Sequence, residues 1–383
     1  SSDESVLHNC PNLSDVDAAI QILRYLGGKI KRESNTLIID TKGVNRYDIP
    51  DGLMREMRSS VVFLGAILAR TGRARISFPG GCEIGLRPID LHLSSLRQMG
   101  VEISENRGVL DCFAPEGLTG ANILLSFPSV GATENIMLAA SLAKGTTVIT
   151  NAAREPEIVD LADFLIECGA NISGAGEGTI VIEGVQKLHG VQHTIIPDRI
   201  VAATLLAAGA ITGGEIVLNN FISSHIGAVL PIFTECGCHI RLYEGKLKLT
   251  APEKLYALGT IRTMPYPGFP TDAQAPLMAM ATVASGTSVF VENIFESRYK
   301  HVSEFIRMGA KIKVEGKVAV IEGVQNLYGA QVEAMDLRGA AALVVAALCA
   351  VGTTELEGVH YLERGYQDFE GVLTTLGGSV KKI

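Results

Sequence analysis

One phrase recurs six times along the chain: an apolar residue, two others, a second apolar residue, then glycine. Leu23, Leu26 and Gly27 carry it first, then Leu96, Met99 and Gly100, then Leu165, Cys168 and Gly169. It returns in Phe233, Cys236 and Gly237, in Phe305, Met308 and Gly309, and in Leu373, Leu376 and Gly377. The glycines lie 73, 69, 68, 72 and 68 residues apart. Such regularity makes the chain an array of one supersecondary unit. Each phrase reads as the end of an amphipathic helix stopped by glycine, with a strand after it. Residues 172–185 and 312–324 then read as hairpins.

A second phrase lies between the copies of the first. An apolar helix ends at Gly72, Gly145, Gly213, Gly286 or Gly352, and a strand follows. Fourteen residues before these glycines stand Arg58, Gly131, Arg199, Asp272 and Arg338, where each helix begins. Polar residues thus recur in register at helix N-termini, where free N–H groups and the helix dipole favour anions. The unit is strand, helix, strand, helix, strand, strand. A chain of 383 residues exceeds what one hydrophobic core sustains, about 250–300 residues. The six units therefore divide three and three, into domains 1–196 and 197–383 that meet near Pro197. The run 200–210, apolar nearly all round, belongs inside its domain. The expected fold is α/β, with sheets wrapped around buried helices. Six units of about 70 residues require about 420, so the first unit is expected to lack a strand, a helix and one anchor.

Composition narrows the function. Apolar residues make up 47% and charged residues 19%, which excludes disorder. A net charge of −8 argues against general affinity for nucleic acid or anionic membranes. Seven cysteines, an odd number with no CxxC pair, argue against a disulfide framework or a thiolate zinc site and fit a reducing, cytoplasmic setting. No apolar run reaches the ~18 residues a membrane span needs, and no basic leader opens the chain. The histidines show no ligand spacing, and neither GxGxxG nor GxxxxGK[ST] occurs, so no metal and no cofactor is expected.

Three features carry chemistry. The loop Phe78–Pro79–Gly80–Gly81–Cys82–Glu83–Ile84–Gly85–Leu86–Arg87–Pro88 puts a thiol on a glycine-rich turn near a guanidinium. Most free cysteines are inert fillers, as expected for Cys168 and Cys236. Cys82 lies off the apolar period, and a thiol beside cations serves as nucleophile or acid. Arg58, Arg87, Arg154, Arg199, Arg298, Arg338 and Arg364 all fall at loops or helix starts on one end of their units. Any one of them reads as a surface residue; together they point to a site for phosphate or carboxylate. Asp272 takes the register position that Arg holds in three other units. It is either a helix cap or a general base, and Asp336 is equally a candidate cap. His92 is either a polar residue on a helix face or part of the cleft lining.

Pro79–Gly–Gly–Cys82–Glu–Ile–Gly–Leu–Arg87–Pro88 resembles the signature loop of the UDP-N-acetylglucosamine enolpyruvyl transferase (1-carboxyvinyltransferase) family. So do Ser129–Val–Gly–Ala–Thr133, Asn151–Ala–Ala–Arg–Glu–Pro–Glu157, Pro197–Asp–Arg199, Phe269–Pro–Thr–Asp272, Phe295–Glu–Ser–Arg298, Asp336–Leu–Arg338 and Arg364–Gly–Tyr366. The match runs the length of the chain. It implies an inside-out α/β barrel, two domains of three units each. It implies transfer of the enolpyruvyl group of phosphoenolpyruvate to the 3-hydroxyl of UDP-N-acetylglucosamine, committing that sugar to peptidoglycan. Both substrates are small molecules, and no protein partner is implied. By the same resemblance Cys82 is the acid and the fosfomycin target, and Asp272 takes the proton of the attacking hydroxyl. Arg87 and Arg364 hold phosphoenolpyruvate. Arg58, Ser129, Val130 and Ile294 border the UDP-sugar, and Arg298, Asp336 and Arg338 support the closed cleft. Pro88, Ile89, Asp90, Leu91, His92 and Gly131 complete the expected substrate-binding set. Domain closure would bring Cys82 and Asp272 together.

The chain departs from the family pattern in two places. It lacks the Lys–Asn pair of the first unit, and it carries Val201 where an acidic residue is expected. Two alternatives stay open: a member that binds UDP-sugar without turnover, and a 5-enolpyruvylshikimate-3-phosphate synthase of the same fold.

Overall fold

The repeat glycines do what their spacing predicts. In the computed structural model, which describes residues 1, 3–57, 59–78 and 89–383, Gly27, Gly100, Gly169, Gly237, Gly309 and Gly377 all adopt positive φ, between 91° and 110°. A residue with a Cβ is strained there, so glycine ends each helix in the left-handed conformation. At Gly27 the backbone N–H returns to the Arg24 carbonyl and closes the helix Ser14–Leu26. The glycines of the second phrase, from Gly72 to Gly352, have positive φ as well.

One repeat shows the whole unit. Strand Thr260–Arg262 is followed by helix Thr271–Ala281, strand Thr287–Val291, helix Val302–Arg307 and the hairpin Lys311–Glu315 with Val318–Glu322. The short first strand pairs in parallel with Thr287–Val291, and the hairpin continues the sheet in antiparallel fashion. The sheets are therefore mixed. The other expected hairpin, read at 172–185, is Asn171–Ser173 against Thr179–Glu183.

The chain divides into two compact units, the first ending at Ile196 and the second running from Pro197. Among the described residues of the first unit the sheets carry four, three and four strands, and the strand Gln192–Thr194 pairs back in parallel onto Glu4–His8 near the start of the chain. In the second the sheets carry three, four and two strands. These are separate sheets packed around helices, and none closes on itself among the described residues. None of the described helices is long and apolar enough to cross a membrane.

The interior helices explain the apolar, small-residue runs of the sequence. In the second unit Arg199–Ile211, Thr271–Ala281 and Leu337–Ala347 pack on one another. Thr271–Ala281 is buried from Ala273 to Ala281 without a break. A helix enclosed on all sides needs no amphipathic stripe, and alanine lets its neighbours approach closely. In the first unit Phe63–Thr71 packs on Val130–Ala140. They touch at Gly65, whose N–H donates to Asn135 Oδ1. A Cβ on Gly65 would lie 2.2 Å from the Asn135 carbonyl oxygen, so only glycine fits.

Candidate active site

In the second unit the three interior helices begin side by side, and their first turns carry the charged residues. The Asp198 side chain caps Arg199–Ile211, accepting from the N–H groups of Ile200 at 2.7 Å and Val201 at 3.0 Å. Asp336 caps Leu337–Ala347, accepting from Arg338 N at 3.0 Å and Gly339 N at 3.1 Å. The middle helix differs. Its cap is Pro270, which makes no side-chain bond, so Asp272 is no cap and its carboxylate is left for other partners. Asp272 Oδ1 lies 2.7 Å from Arg298 Nη2 and 3.5 Å from Arg338 Nε.

The electrostatics follow from that geometry. Partial desolvation pushes the Asp272 carboxyl up. The guanidiniums of Arg338, Arg298 and Arg199 outweigh it and hold the group well below the usual carboxylate range. The Asp272 side chain stays 44% exposed while that of Arg298 is 3% exposed, so the carboxylate is presented outward from a fixed cation. Arg298 Nη2 also donates to the Thr271 carbonyl at 3.2 Å, and its guanidinium stacks over Phe295 at 5.6 Å. Arg338 Nη1 donates to the Tyr366 hydroxyl at 3.3 Å, which also bonds Thr204 Oγ1 at 2.9 Å. Arg199 lies over the Tyr266 ring at 5.7 Å. Val201 joins the small apolar cluster around Tyr366 and Phe369. Arg364 ends the 3-10 helix Val359–Arg364, two residues before Tyr366.

Two buried polar residues in this region lay outside the sequence expectations. His301 sits near Asp336 and Arg298, and burial pushes its imidazole down to about 4, so it is neutral. Glu292 follows the strand Thr287–Val291, immediately before Asn293 and Ile294, and is 1% exposed. A single acidic residue at the end of an apolar strand gives no periodic signal that would single it out.

In the first unit Ser129 caps Val130–Ala140, its Oγ accepting from Ala132 N at 3.3 Å. Val130 and Gly131 form the first turn of that helix. His92 does not stand open beside them. It is buried on Asp90–Gln98, its ring against Gly131 and its Nδ1 accepting from Asn135 Nδ2 at 2.9 Å. Burial pushes its imidazole down to about 4, so it ties two helices together as a neutral group. Ile89 is buried at the start of the same helix, Leu91 is half-buried and Asp90 is exposed. Arg154, grouped with the other arginines by position, is exposed and donates through Nε to the Gly176 carbonyl at 3.1 Å. Cys82, Arg87, Pro88 and Arg58 lie outside the described residues. Cys168 and Cys236 are buried fillers, as their periodic positions imply. Among the described residues no group of three or more His, Cys, Asp or Glu is placed to hold a metal ion.

A carboxylate that stays ionised, beside planar cations at converging helix starts, can bind an anion and receive a proton at one place. The family model for EPSP synthase (3-phosphoshikimate 1-carboxyvinyltransferase) matches residues 1–373. The chain belongs to this family of enolpyruvyl transferases. It is 50% identical over 379 residues to UDP-N-acetylglucosamine 1-carboxyvinyltransferase 2 of Caldanaerobacter subterraneus subsp. tengcongensis, covering 99% of this chain and 91% of that one. It is 49% identical to UDP-N-acetylglucosamine 1-carboxyvinyltransferase 1 of Symbiobacterium thermophilum, covering 100% of this chain and 88% of that one. The enolpyruvyl transferase NikO from Streptomyces tendae has the same fold, with a TM-score of 0.89 at 24% identity, covering 100% of this chain and 91% of that one. The enolpyruvyl transferase expected from the motifs is thus what the chain is: a transferase acting on small molecules, with an α/β fold of mixed sheets around buried helices.

Proposed function

We propose that the chain transfers the enolpyruvyl group of phosphoenolpyruvate to the 3-hydroxyl of UDP-N-acetylglucosamine, releasing phosphate and committing the sugar to peptidoglycan. The observation that carries this substrate choice is half-identity over almost the full chain to transferases named for that acceptor. The roles follow the resemblance of the motifs. Cys82 donates a proton to C3 of phosphoenolpyruvate while the acceptor oxygen bonds to C2 and its proton passes to Asp272. The product is a tetrahedral ketal. Loss of a proton from C3 then restores the double bond as the C2–phosphate bond breaks and phosphate leaves. At rest Asp272 is a weak base, because its arginines hold its negative charge. An anionic substrate that draws on Arg298 and Arg338 weakens that hold and makes the carboxylate more basic. Arg87 and Arg364 hold phosphoenolpyruvate. Arg58, Ser129, Val130, Gly131 and Ile294 border the UDP-sugar, together with Pro88, Ile89, Asp90 and Leu91, while His92 acts behind them by tying two helices together. Arg338 and Asp336 keep the helix starts in place.

The test is phosphate release from phosphoenolpyruvate with UDP-N-acetylglucosamine and, separately, with shikimate-3-phosphate. Release with the UDP-sugar alone, abolished by fosfomycin and in Cys82→Ala, is the expected result. Release with shikimate-3-phosphate alone would overturn the acceptor assignment. Tight UDP-sugar binding without release would leave a binding protein.

A further inference from the structure

Glu292 is an unusual residue to bury. A carboxylate removed from water costs several kcal/mol unless its oxygens are satisfied. Here five neutral donors satisfy them. Oε1 accepts from the Thr263 hydroxyl at 3.0 Å, from Ile294 N at 2.8 Å and from Phe295 N at 3.0 Å. Oε2 accepts from the Thr271 hydroxyl at 3.0 Å and from Gln274 Nε2 at 2.9 Å. Thr263 extends the arrangement: its hydroxyl accepts from Asn293 N at 2.8 Å, and its carbonyl accepts from Asn293 Nδ2 at 3.1 Å.

The two oxygens therefore hold two different segments. One shapes the turn that presents Ile294. The other holds the first turn of the helix that presents Asp272, through the residues at 271 and 274 on either side of it. A single rigid carboxylate spans them, with charge-assisted bonds that are stronger than neutral ones. We propose that Glu292 is a positioning residue of the transfer reaction, fixing the Ile294 turn relative to the Asp272 carboxylate so that the acceptor hydroxyl arrives beside it. It touches no substrate in this role. The inference rests on the acceptor site proposed above.

Glu292→Gln keeps the volume and Oε1-type acceptor but puts an N–H₂ where Thr271 and Gln274 now donate. The measurement is steady-state kinetics of the whole protein with both substrates, beside its thermal melt. Expected is a loss of about ten- to hundredfold in kcat/KM for UDP-N-acetylglucosamine, with KM for phosphoenolpyruvate changed less than about twofold. Thr271→Val, which deletes one donor and conserves volume, should show a smaller loss with the same split, and it serves if Glu292→Gln fails to fold. Equal losses for both substrates, or unchanged kinetics from a protein that only melts earlier, would overturn the proposal. Hydrogen exchange gives a readout that needs no turnover. Glu292→Gln should speed exchange in both 270–276 and 292–297. Faster exchange in 292–297 alone would refute the coupling even if the parent protein proved inactive with the UDP-sugar.

Discussion

Asp272 and Arg298 form an uneven pair: an outward carboxylate on a buried cation. The arrangement keeps the carboxylate charged across the whole range in which enzymes work. Asp272→Asn keeps the shape and hydrogen bonding but cannot take a proton. It should lower kcat by about 10²–10⁴-fold with little change in KM for phosphoenolpyruvate, read from phosphate release. The folded group titrates below its unfolded value, so its pairing stabilises the protein above the unfolded pKa and is lost only as pH falls through the folded one. The acid limb of a kcat/KM–pH profile, which reports the free enzyme, should therefore not move between pH 5 and 8 in variants that perturb Asp272 alone. The same residue shows what sequence can and cannot supply. Its place at a helix start was legible, because glycine positions fix helix ends and helix lengths repeat. Its role as pair rather than cap was not, since the cap belongs to Pro270 and the partners lie 26 and 66 positions away. His92 reads from sequence as a residue on a helix face or in the cleft lining, and its burial against Asn135 is something that no local pattern links to it.

At the scale of elements, close helix packing is the controlling feature. Gly65 meets Asn135 where two interior helices touch, and that contact leaves no room for a methyl group. Gly65→Ala should destabilise the first unit by about 1–3 kcal/mol, measured by urea unfolding, because the helices must separate or shift. The gain in helix propensity from alanine, about 1 kcal/mol, works the other way and is smaller than the strain at 2.2 Å. Helix ends and hairpins were legible in the sequence because they obey local rules. The Glu292 network was not, because its donors come from a strand end, a helix start and a turn that meet only in the folded chain.

For the whole molecule, acid should act on both compact units. His92 in the first and His301 in the second are each pushed down to about 4 by burial. A depressed histidine is neutral when folded, while its unfolded form takes up a proton near 6.5. Stability is therefore lost as pH falls from about 6.5 to about 4. His193 has the opposite sign and acts at higher pH. Its burial lowers its affinity for a proton, but Glu167 at 2.9 Å and Asp160 at 3.1 Å raise it further. Its contribution is complete below the unfolded pKa and fades as pH rises through the folded one. Chemical unfolding at a series of pH values should show an acid fall below about 6.5, made shallower by His92→Gln or His301→Gln, while His193→Gln should leave that fall unchanged and remove a loss of stability above about 6.5. An unchanged acid slope in both His92→Gln and His301→Gln would contradict the assignment.

Within the three interior helices of the second unit the charged residues stand only in the opening turns, and the turns beyond them are almost all small or apolar residues. Recognition and architecture are thus written in separate stretches of the same helices. A lineage can exchange the opening residues, and with them the anion that is held, without touching the packed stretch that holds the helices together. The three-helix core is a durable chassis, and a handful of residues at one end of it carries its charge.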